Sequence, residues 1–416
     1  MAEEARTGRA VGPVASVYTV FMSARGRLLV ALLSTGLIGY VALGSLLGRV
    51  LGDTSYGQLA VFNEVVRLVL EAYVEPVNLD RAMAGARLGM GDALDGDSSY
   101  LDAEEFRLYQ QPVKDTEADI GAVLTRRFGF LMLVSTRPGS PGEKAGLRAG
   151  DILKSIDGRH SRPLAATTGQ RLLRGAPGST VKLAILRAGS DPIEVSVVRE
   201  RIVVTPPKGR MLADGTGYLK VGEFPARVAD DVRAEVESLK RSGARSLVLD
   251  LRDAAWGAPE EGARVAELFL KGGVVAKLAG TKVPEQVLSA DAARSAWEGP
   301  LAVLVDTGSA GPAEIVAAAL LDAGRAPVVG EHTFGRAGLQ KAVPLPEGGL
   351  ILTVAKYSSP KGTAIHGHGV EPSVPVASSS EARDDDAADA AAKAKDPILD
   401  KALEVLRDGA AKKAAA

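Results

Sequence analysis

The sequence predicts a mixed α/β chain of several modules, and three observations carry that expectation. Residues 217–376 alternate apolar runs of buried-strand type with amphipathic helical stretches, the pattern of a sheet covered by helices. Residues 116–201 are short β runs separated by Gly/Pro turns. Leu28–Gly48 is 21 residues without a charge, enough to cross a bilayer as a helix. A chain of 416 residues with 46% hydrophobic and 24% charged content has room for two or three cores. A net charge of −1 gives no electrostatic case for nucleic acid, so partners must be read by shape and local contacts. The absence of cysteine excludes disulfides and a thiolate nucleophile. Of four histidines, His160 and His332 are scattered, and only His366 and His368 share an i, i+2 spacing, so no metal and no cofactor is expected.

Taken in order, residues 1–27 read as a leader and 28–48 as a transmembrane anchor or signal segment. Arg25 and Arg27 precede the apolar run, which places the leader in the cytoplasm and the body on the periplasmic or extracellular face. A cleaved signal ending near Ala42-Leu43-Gly44 is the alternative. Residues 55–110 are helical: Val61, Val65, Val66, Leu68 and Leu70 keep near-helical spacing until Glu75-Pro76, and a second helix at 79–94 stops at Asp95-Gly96. Residues 112–205 are β-rich, with strands at 120–126, 130–135, 152–156, 180–187 and 193–198. An Asp157-Gly158 turn follows the third, and helices fall at 144–148 and 165–173. Residues 206–376 place strands at 217–221, 246–251, 301–305 and 328–329, and helices at 229–241, 262–270 and 313–322. Residues 377–416 form a polar linker around Asp384-Asp385-Asp386, then a short amphipathic helix at 396–406 that packs back on the body.

Two pairs of motifs carry a resemblance. Gly308–Ile315 reads GSAGPAEI and Thr333–Gln340 reads TFGRAGLQ; both resemble the active-site signatures of the carboxy-terminal processing (tail-specific) serine peptidases. SPGEKAGLRAGDILKSIDGR from Ser140 and LLRGAPGSTVKLAILR from Leu172 resemble the PDZ domain inserted in those enzymes. The resemblance implies a helical neck, a PDZ domain and a crotonase-like ββα core. In that family the residue before Glu-Ile is the nucleophilic serine, and the residue after Phe-Gly is the lysine base. Here these are Ala313 and Arg336, with Gln340 at the position of an assisting glutamine. A methyl group offers no nucleophile, and a guanidinium stays protonated and accepts no proton. The turn after Asp250-Leu251-Arg252, which presents oxyanion donors in the family, reads Asp253-Ala254-Ala255-Trp256-Gly257, with a large ring where a glycine is expected.

The resemblance therefore implies a degenerate peptidase that binds protein carboxy termini as an adaptor, a decoy or a regulatory partner of an active relative, with self-association a further possibility. The peptide site maps onto Asp119, Ile120, Gly121, Ala122, Val123 and Leu124, facing a helix that carries Leu172. Asp119 stands where many relatives have glycine, and its carboxylate is expected to repel the ligand's own. Two other readings stay open: a working endopeptidase using Ser309 and His332, and a small-ligand carrier whose pocket Trp256 lines.

Overall fold

The computed structural model describes residue 35 and residues 54–113, 117–377 and 396–415. The leader and most of the polar linker lie outside the described residues, as does the apolar run 28–48 apart from Thr35. The expected N-terminal membrane helix, and with it a membrane contact through Leu28–Gly48, is corrected: no helix among the described residues is long and apolar enough to cross a membrane. What remains of the fold class is a mixed α/β protein.

The chain divides into residues 1–79 and 80–416. In the first unit, α1 (Thr54–Ala72) leaves Val61, Val65 and Leu68 exposed and ends before Pro76. The second begins along α2 (Leu79–Asp92), followed by β1 (Ser99–Leu101) and α3 (Ala103–Gln110). Asp102 starts α3 by accepting the Glu105 N–H at 2.8 Å.

The β-rich module follows. It comprises β2 (Ala122–Arg127), β3 (Phe130–Thr136), the single-turn α4 (Pro141–Lys144), β4 (Ile152–Ile156), β5 (Arg159–His160), α5 (Ala166–Leu172), β6 (Thr180–Leu186) and β7 (Ile193–Val198). Its sheet runs β2-β3-β4-β6-β7, leaving one edge of β2 toward α5. Asp157 and Gly158 both take positive φ, 47° and 77°, so the Asp-Gly turn between β4 and β5 is of the primed kind. Helix α4 begins three residues before its expected place, because Ser140 caps it and Pro141 supplies the first-turn proline.

The remaining elements are β8 (Lys208–Met211), β9 (Thr216–Lys220), β10 (Glu223–Phe224), α6 (Val228–Arg241), β11 (Ser246–Asp250), β12 (Trp256–Gly257), α7 (Pro259–Glu267), β13 (Gly273–Gly280), β14 (Val283–Ala290), β15 (Leu301–Val305), α8 (Pro312–Asp322), β16 (Val328–Gly330), β17 (Gly338–Leu345), β18 (Gly348–Ser358), β19 (Val374–Pro375) and α9 (Pro397–Ala415). A six-stranded sheet runs β19-β16-β15-β11-β9-β8 and is parallel except for the β8–β9 pair. Its strands β11 and β15 are nearly all buried, as a sheet covered on both faces requires. Helices α6, α7 and α8 close one face; Ile398, Ala402 and Leu406 of α9 close the other against Val248, Ala302, Leu304 and Val329. Helix α7 also starts three residues early, again at a proline, Pro259. A second sheet joins β1, β18, β13 and β14, with β17 on β18.

Candidate active site

Helix α8 and the loop before β17 are held together by one buried carboxylate. Glu314 has no exposed surface and accepts the N–H groups of Gly311 (2.8 Å), Gly335 (2.6 Å) and Arg336 (2.8 Å), and the Thr333 hydroxyl at 2.5 Å. Burial pushes its carboxyl above the usual range, against these donors. The GPAEI and TFGRAG stretches are adjacent because Glu314 bonds to both.

Ala313, one residue earlier, is fully buried and does not line the neighbouring cavity. Arg336 does line it, and its Nε lies 2.9 Å from each carboxylate oxygen of Asp97. Asp97 is 5% exposed and also accepts the Thr125 hydroxyl at 3.2 Å, so it joins the turn after α2, strand β2 and Arg336. Gln340 lines the same cavity from β17. Asp97 lies just past the Asp95-Gly96 helix stop, in a turn shaped by Asp95, which accepts the N–H groups of Asp97 and Ser98.

At the turn after Asp250-Leu251-Arg252, Trp256 and Gly257 form β12 and pair with Glu223 and Phe224. Gly257 has φ 124°, and a Cβ there would sit 2.1 Å from the Phe224 carbonyl oxygen, so this strand pair requires glycine. The Trp256 ring is stacked by the Arg137 guanidinium at 4.2 Å. Arg137, just after β3, is bidentate to Glu223 at 2.9 and 2.8 Å. Val123 and Val134 of the β-rich module pack on Ala255 and Ala310, with Trp256 and Phe334 beside them. The module is seated directly over the two signature loops.

Ser309 is buried; its hydroxyl lies 2.9 Å from the Leu251 carbonyl oxygen and 3.0 Å from Asp306 Oδ1, and accepts the Asp306 N–H at 3.0 Å. His332 Nδ1 lies 2.8 Å from the Thr333 carbonyl oxygen, with Nε2 3.6 Å from Glu371. The structure gives Ser309 and His332 separate partners, which leaves the substitute dyad without geometric support. Burial, and then the nearby Asp253, push the Asp306 carboxyl up to about 7. His366 is buried with Nε2 3.6 Å from Asp95.

The candidate peptide site lies between β2 and α5. A cavity of about 720 Å³ lies beside it, lined by Asp119, Gly121, Ala122, Val123 and Leu124 together with Trp256, Arg336 and Gln340. Ile120 is fully buried in the module's core, and Leu172 packs on that core. Gly121 has φ 75°, and a Cβ there would meet Ser140 Cβ at 2.3 Å. Gln170 and Arg174 also line the cavity; Arg174 falls within the LLRGAPGS stretch, whereas Gln170 lies outside the quoted motifs.

Residues 215–376 match Peptidase family S41, and residues 134–187 match a PDZ domain. Carboxy-terminal processing protease CtpA of Bacillus subtilis (strain 168) is 30% identical over 333 residues, 79% of this chain and 71% of that protein. The carboxy-terminal-processing protease of Bartonella bacilliformis is 32% identical over 332 residues, 78% of this chain and 76% of that protein. The chain belongs to the carboxy-terminal processing protease family. Among solved structures, the photosystem II D1 C-terminal processing protease superposes with a TM-score of 0.66 at 26% identity, covering 78% of this chain and 89% of that one. As a carboxy-terminal processing protease relative with a PDZ domain, the protein has a fold suited to holding protein carboxy termini, and that domain sits above the two peptidase signatures.

Proposed function

We propose that this family member is catalytically silent and binds carboxy-terminal segments of other proteins through its PDZ domain, as an adaptor or regulator. One observation carries the reading: the nucleophile position is the buried methyl of Ala313, and the base position is a guanidinium already paired with Asp97. Acyl transfer by a serine/lysine dyad needs an oxygen nucleophile and a neutral amine within reach, and these two positions supply neither. The cavity joining the β2 edge to Arg336 supports retained peptide binding, since an extended segment added along β2 would run toward the signature loops.

The test of silence is incubation of the purified chain with unfolded casein and with a serine-directed fluorophosphonate. No cleavage and no labelling are expected. Labelling that disappears on Ser309→Ala would replace this reading with that of an active endopeptidase.

A further inference from the structure

The groove is occupied by the chain's own side chains. A PDZ-type site offers two things to a carboxy terminus: loop N–H groups for the terminal carboxylate and a strand edge for the peptide backbone. In this structure the loop N–H groups are those of Ile120 and Gly121, and Asp119 Oδ1 accepts both, at 2.6 and 3.1 Å. The strand edge is that of β2, where Gln170 of α5 accepts the Leu124 N–H at 3.2 Å and donates to the Ala122 carbonyl at 2.7 Å. A carboxylate therefore sits where a peptide's carboxylate would sit, and an amide sits where a peptide bond would pair. The Arg174 Nε lies 3.4 Å from Asp119 Oδ2, within the same cavity.

Resting on the peptide-binding reading above, we propose that Asp119 and Gln170 are a built-in competitor for the peptide, and that Arg174 is the cation that takes the peptide's terminal carboxylate once Asp119 turns away. The exchange is one carboxylate for another on the same donors, so the loop itself has no need to rearrange. Its backbone is already fixed: Asp119 bridges Glu200 through both N–H and C=O, the Ile120 carbonyl accepts the Gly142 N–H at 2.7 Å, and the Gly121 carbonyl accepts the Arg137 N–H at 2.7 Å. Only the Asp119 and Gln170 side chains must rotate. Because the open form is a fraction of the population, apparent affinity falls by that fraction, and only termini with strong additional contacts are retained. This extends the simple expectation of repulsion, since Asp119 acts by occupying the site as well as by its charge.

The experiment uses the full chain and fluorescent decapeptides randomised at the last three positions, with free or amidated termini. Asp119→Ala is expected to bind the free-carboxylate pool at least about tenfold more tightly than wild type, with the amidated pool unchanged. Gln170→Ala should tighten both pools alike, because it frees the strand edge and not the anion site. Adding Arg174→Gln to Asp119→Ala should erase the gain. Hydrogen exchange gives a readout free of peptide: residues 120–121 should exchange faster in Asp119→Ala while β3 is unchanged, which also shows that the variant is folded. Wild type binding free termini as tightly as Asp119→Ala would overturn the competitor and leave peptide binding standing. Unchanged exchange at residues 120–121 would overturn the competitor too. No binding by any variant would overturn both readings.

Discussion

At the scale of single residues, Asp97 decides more than the two substituted dyad positions show by themselves. Restoring a serine with Ala313→Ser and a lysine with Arg336→Lys places a new ammonium where Asp97 now holds a guanidinium at 2.9 Å. A carboxylate at that distance favours the charged form and raises the amine's pKa, the opposite of what a general base needs. The double variant is therefore expected to show no turnover of casein, and robust turnover would show that Asp97 does not control this position. Asp306 gives a second residue-scale prediction. Its carboxyl is raised to about 7 by burial and by Asp253, so the folded state favours its protonated form. Its effect is neutral when both states are protonated, and it becomes destabilising as pH rises from about 4 to about 7. Measured against Asp306→Asn, which carries no such charge, wild type should lose stability across that window. Thermal melts of the two proteins at several pH values check this, and parallel curves would contradict it.

At the scale of elements, the C-terminal helix was legible because Ile398, Ala402 and Leu406 repeat at helical spacing, and those side chains are buried against the central sheet. Its start is tied down by Arg252, which reaches both Asp250 and Asp396. Ile398→Ala is expected to cost about 2–4 kcal/mol in urea unfolding, and a cost near zero would mean that α9 lies on the sheet without stabilising it. The buried parallel strands were legible for a similar reason: β11 and β15 are short apolar runs bounded by turns. The sheet of β13, β14, β17 and β18 was not read from the sequence. Strand β14 is mostly exposed and β17 includes Pro344, so neither shows a clean apolar period. The candidate site divides in the same way. Ala313, Arg336 and Arg174 stand inside motifs, whereas Asp97 and Gln170 act through contacts that only the folded chain creates.

At the scale of the whole molecule, strand β1 pairs with β18 through Ser99 and Ile351. That short ladder closes a loop of about 250 residues, and closing such a loop in an unfolded chain costs on the order of 5 kcal/mol of entropy. Both the PDZ domain and most of the parallel sheet lie within it. If those parts fold first, the effective loop shortens and the ladder forms cheaply; if they do not, the β1–β18 pairing bears the full closure cost. The order of events during folding is thus written into the position of three residues, Ser99, Tyr100 and Leu101. In pulse-labelled refolding their amide protons should be protected later than those of β3 and β11. Late protection also bears on the signature loops, since Asp97 lies two residues before β1 and delivers its carboxylate to Arg336. On that order the Asp97–Arg336 ion pair is expected to form late, together with the part of the cavity wall that Asp97 and Ile351 supply.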